Sequence, residues 1–106
     1  MSSASSSTQW LVILTPPRET FPADATDDEM AIVMRHAQHL TKLRDASKLL
    51  LAGRTTEDSN PIGLAIFEEC ERAEVEAMMQ DDPVIESGLF SMEIRPYEIA
   101  MMRGGA

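Results

Sequence analysis

The chain has two histidines, His36 and His39. Imidazole is the side chain whose ordinary titration lies nearest neutral pH, so these are the first candidates for proton transfer. His36 has Ile32, Val33, Leu40 and Leu43 around it at helical spacing. A neutral ring on such an apolar helix face suits a general base. The plain alternative is a core histidine with both ring nitrogens satisfied. His39 stands one turn on, beside Arg35 and Lys42, and is expected at the surface. The i, i+3 spacing puts both rings on one helix face, where they could share a metal ion. No third ligand stands at a fixed spacing, so neither a metal nor another cofactor is expected.

A histidine base works best when an acid orients it. The stretch Glu57-Asp58-Ser59-Asn60 offers Asp58 for that role. The same composition also describes a solvated turn closed by Asx-type bonds. Arg18, Arg54 and Tyr97 are the candidates for holding a substrate. Arg54 follows a strand that ends in Gly53, where a pocket mouth is expected. Tyr97 has a hydroxyl able to donate to a developing oxyanion. The single cysteine, Cys70, sits among Glu68, Glu69 and Glu71, which disfavour a thiolate, so it reads as structural. The chain has no phosphate-binding loop, no G-x-G-x-x-G, no C-x-x-C and no G-x-S-x-G.

The elements that must position these residues follow from periodicity. Gln9–Thr15 (QWLVILT) is a short β-branched, apolar run and predicts a buried strand ended by Pro16 and Pro17. Thr26-Asp27-Asp28-Glu29 is a capping box, and a helix is expected from Asp27 to about Ala46. Its apolar stripe is Met30, Val33, Met34, Ala37, Leu40 and Leu43. Lys48–Ala52 predicts a second strand and Ile62–Phe67 a third. In the third, Ile62, Leu64 and Ile66 alternate with Gly63, Ala65 and Phe67. Glu71–Gln80 predicts a second helix, stopped by Asp81-Asp82-Pro83. Val84–Ser87 predicts a helical turn, and Leu89–Ile99 the last strand, at an edge or with a bulge at Pro96. The order βαββαβ is the ferredoxin-like split βαβ unit, an α+β fold with helices on one sheet face. The bare face invites a second copy and a dimeric α/β barrel.

The bulk numbers agree. The 106 residues suit one small domain, read here as residues 9–102 after a disordered tail over residues 1–8. The tail is serine-rich and lacks the apolar stretch of a signal peptide. The net charge of −9 repels phosphate backbones and anionic bilayers, so nucleic-acid and membrane partners are not expected. A lone cysteine and no long apolar run fit a cytoplasmic protein.

Several segments, taken in order, resemble the YciI-like (YCII-related) family from about Trp10 to about Met102. They are Leu11–Arg18, Met34-Arg35-His36, Lys48–Arg54, Ile62–Phe67, Asp81-Asp82-Pro83, and Gly88 through Pro96-Tyr97. The resemblance implies a ferredoxin-like fold, a homodimer assembled as an α/β barrel, and a His–Asp pair as the active site. It also implies a range of chemistry that includes a dehydrochlorinase acting on a chlorinated hydroxyhydroquinone. Ungapped spacing to the Lys48–Gly53 strand places the family histidine at His36. Many members carry an acid just after the first strand. Here that stretch is Thr15-Pro16-Pro17-Arg18, which leaves Asp58 as the candidate partner. The expected function is a small lyase or isomerase. It would use His36 and Asp58 on a small cyclic, phenolic or quinoid, substrate held by Arg18, Arg54 or Tyr97. The other reading is a non-catalytic dimeric binding or accessory domain with the same pocket.

Overall fold

The computed structural model of the protein describes residues 8–104. The expected tail lies outside the described residues, except Thr8, which opens the first strand. The elements are β1 (Thr8–Thr15), α1 (Asp27–Asp45), β2 (Leu49–Arg54), β3 (Gly63–Cys70), α2 (Arg72–Gln80), α3 (Pro83–Glu86) and β4 (Ser91–Tyr97). The strands form one sheet in the order β2-β3-β1-β4, and every neighbouring pair is antiparallel. This is the ferredoxin-like α+β arrangement, with α3 inserted as a single turn before β4.

Alternation decides the two sheet faces. Trp10, Val12 and Leu14 of β1 are buried, and the register sets Val12 opposite Ala65 and Trp10 opposite Phe67. Val75 and Met79 of α2 close over them and, with Leu49, complete the core. Gly63 sits where β3 passes Leu14. A Cβ there would stand 3.3 Å from the Leu14 Cβ, so the small residue permits the close pairing. The other face pairs Leu11 with Ile66 and Ile13 with Leu64, and sets Leu51 beside Ile66. No helix among the described residues covers that second face. β4 lies at the sheet edge, where a proline such as Pro96 is tolerated, and its register with β1 runs without a bulge.

The capping box forms as expected: the Glu29 amide donates to Thr26 Oγ1 at 3.1 Å, and the Thr26 amide donates to Glu29 Oε1 at 2.9 Å. The stripe of α1 needs correction. No residue of α1 is fully buried, and Met34 is 63% exposed. Met30, Val33, His36, Ala37 and Leu40 line a pocket, while Leu40 and Leu43, further along the helix, pack against the core. No helix among the described residues is long and apolar enough to cross a membrane.

Candidate active site

His36 lies in the middle of α1, and its Nδ1 is 2.7 Å from Asp82 Oδ2. Asp82 is the residue before Pro83, and it caps α3: its Oδ1 accepts from the Val84 amide at 3.0 Å. A proline at the first helical position needs no amide partner, so the Asp-Pro pair starts α3 cleanly. The Asp82 side chain is wholly buried, and both of its oxygens are therefore engaged. An ionised carboxylate only accepts, so the proton of a neutral His36 sits on Nδ1 and the lone pair on Nε2. His36 Nε2 has no hydrogen-bond partner among the described residues. Among the described residues no fully buried side-chain nitrogen or oxygen lacks a partner, so Nε2 is not sealed in the interior.

The pocket that His36 lines has a volume of about 400 Å³. It lies between α1 and the end of the sheet where β1 and β2 finish and β3 begins. Leu14 and Gly63 contribute from the sheet, Met30, Val33 and Leu40 from the helix, and Phe21, Pro22 and Pro61 from the flanking loops. Phe90, just before β4, stands 6.3 Å from the His36 ring, centroid to centroid, and meets Phe21 edge-on at 5.5 Å. The two loops are tied together where the Asn60 amide donates to the Glu19 carbonyl at 2.8 Å. The arrangement is an oriented imidazole facing an apolar space, which is the geometry a general base requires.

The other candidates are distributed unevenly. Arg54 ends β2 and lines the same pocket. Arg18 does not line it. Its guanidinium donates to Glu29 at 2.8 and 2.9 Å and to Asp24 at 3.1 Å. Those two carboxylates, Glu29 first, hold Arg18 above its ordinary value, and Arg18 in turn brings Glu29 down to about 2 and lowers Asp24. Arg18 is thus a clamp between the β1–α1 loop and the start of α1, and its charge is already answered. Tyr97 pairs with Gln9, while the pocket begins at Leu14 of the same strand. That separation is about 17 Å along β1, so Tyr97 does not reach this pocket. Asp58 is exposed in the β2–β3 loop, and the carboxylate against His36 is that of Asp82 instead. His39 is half-buried rather than free at the surface: its Nε2 donates to the Met78 carbonyl at 2.8 Å. Among the described residues, no three metal-binding side chains come together. Burial, then Glu74, pushes the Cys70 thiol up, away from a thiolate at neutral pH.

Asp82 escaped the reading by spacing because 46 positions separate it from His36. A signal was available. Asp81-Asp82-Pro83 is one of the segments that carry the family resemblance, and helix stopping explained it only in part.

Comparison with solved structures finds a 5-chloro-2-hydroxyhydroquinone dehydrochlorinase from Burkholderia phenoliruptrix AC1100, in complex with 2,5-dihydroxybenzoquinone. The two are 22% identical with a TM-score of 0.52, over 83% of this chain and 93% of that one. At that identity the likeness speaks for the fold. No curated protein matches. The family model of the YCII-related domain matches residues 10–98, and the chain therefore belongs to the YCII-related domain family.

Proposed function

We propose that the protein is a small acid–base enzyme, a lyase or isomerase, that acts on a small cyclic substrate in the His36 pocket. One observation carries the reading: His36 is oriented through Nδ1 by the buried Asp82, which leaves Nε2 open on an apolar space. In this scheme Nε2 takes a proton from a carbon or hydroxyl made acidic by a ring carbonyl. The electron pair released becomes a ring double bond as a leaving group departs, or shifts along the ring for an isomerisation. Asp82 stabilises the imidazolium formed and keeps the ring in place. The imidazolium then returns its proton to the product or to water. The pocket volume, about 400 Å³, lies within the usual range for small-ligand sites, roughly 300–1,000 Å³. The dehydrochlorinase with the same fold, solved with a hydroxylated quinone, makes halogenated or hydroxylated hydroquinones the first substrates to try.

The test follows halide release and ring absorbance for a panel of chlorinated hydroquinones and small lactones, with wild type and His36→Gln. General acid–base catalysis is worth about 100-fold or more, so the variant should lose at least that much turnover. Turnover unchanged in His36→Gln would rule out the role. Saturable binding without turnover across the panel would return the protein to the accessory-domain reading.

A further inference from the structure

Arg54 lines the pocket from the end of β2, and its charge is available there. The chain has 18 acidic against 9 basic residues, and four of those nine cations are already ion-paired with carboxylates among the described residues. Arg18 meets Asp24 and Glu29, Arg44 meets Asp45, Arg72 meets Glu76, and Arg95 meets Glu93. Arg54 makes no ion pair or side-chain hydrogen bond among the described residues. The residues lining the pocket include one guanidinium, one imidazole and no carboxylate, and the rest are apolar or glycine.

We infer that this pocket selects a single-ring anion, an ionised carboxylate or phenolate, whose charged oxygen sits on Arg54 while the ring lies among Leu14, Val33, Phe21 and Phe90. Three physical points lead there. The long-range field of a chain at −9 disfavours anions, so an anion needs a local cation to enter. Apolar walls cannot replace the water an anionic oxygen loses, whereas the planar fork of arginine meets a carboxylate with two parallel bonds. Size limits the rest of the ligand. An apolar cavity of ~150 Å³ holds benzene, so about 400 Å³ accommodates one substituted ring together with its charged group. Placing the reacting atom at His36 rests on the proposed function. The preference for an anion does not.

The experiment titrates benzoate and benzamide, which differ in charge but hardly in shape, into wild type, Arg54→Gln and His36→Gln, by calorimetry. Wild type should bind benzoate about tenfold or more tightly than benzamide, as expected for a charged two-bond contact. Arg54→Gln should remove that difference, and His36→Gln should keep it. Equal binding of the two ligands by wild type would overturn the inference. So would no binding of either, or a benzoate preference that survives Arg54→Gln. The two ideas fail separately. Turnover that survives His36→Gln, with the benzoate preference intact, defeats the proton-transfer reading alone. Turnover lost in His36→Gln, with no benzoate preference, defeats the anion inference alone.

Discussion

The two oxygens of Asp82 have different partners, which makes its roles separable. Oδ1 caps α3 through the Val84 amide, and Oδ2 accepts the hydrogen bond from His36 Nδ1. In Asp82→Asn the amide oxygen still caps the helix, but an NH₂ group faces His36. Nδ1 must then accept, the ring proton moves to Nε2, and the lone pair no longer points into the pocket. Nitrogen-15 spectra of the ring should show this tautomer change, and turnover should fall about 100-fold or more. Asp82→Ala should lose the cap as well, about 1 kcal/mol, and melt lower than Asp82→Asn. Equal melting temperatures and an unchanged His36 tautomer in the two variants would refute this division. His36 was legible because its helical neighbours are local in sequence. Asp82 was not, because a Asp-Pro helix stop looks complete on its own. Nothing in the spacing says that a cap's second oxygen will meet a side chain 46 residues away.

At the scale of elements, the strands, the capping box and both long helices could be read from periodicity and end signals alone. The seating of α1 could not. A 3.6-residue stripe tells which face turns inward but not how closely the helix approaches the sheet, so Met34 ends up exposed and Val33 faces a pocket. The β1–α1 loop helps hold that gap open, and Arg18 clamps the loop to α1. The clamp predicts an acid response. Glu29 is brought from an ordinary 4.5 down to about 2, chiefly by Arg18, and Asp24 is lowered as well. A carboxyl depressed in the folded state adds stability above its unfolded value and loses it as pH falls through its folded value. The melting temperature of Arg18→Met should therefore lie below that of wild type at neutral pH. The gap should close between about pH 4.5 and about pH 2. These groups are in reach of solvent, Asp24 exposed and Arg18 and Glu29 half-buried, so the gap should also shrink in high salt. A gap that is constant with pH would mean that Arg18 acts through packing alone.

For the molecule as a whole, the unresolved balance is the second sheet face. Leu11, Ile13, Leu64 and Ile66 lie there half-buried, and Leu51 is 49% exposed. A contiguous aliphatic surface on a small domain marks an interaction site more often than a solvent face. We propose that a second copy covers it, sheet against sheet, as the barrel expected from the fold requires. Ile13→Glu distinguishes the cases because its consequence depends on what lies opposite. On a face open to water, a surface substitution of this kind changes stability by about 0.5 kcal/mol or less. Across a twofold interface it buries an unpaired charge in each copy, which costs several kcal/mol and splits the dimer. Wild type should sediment as a dimer, and its melting temperature should rise with protein concentration, because association is linked to folding by mass action. Ile13→Glu should sediment as a monomer and melt lower, with no dependence on concentration. A wild-type monomer whose melting temperature ignores concentration, and which tolerates Ile13→Glu, would show that the leucine and isoleucine face works alone in water.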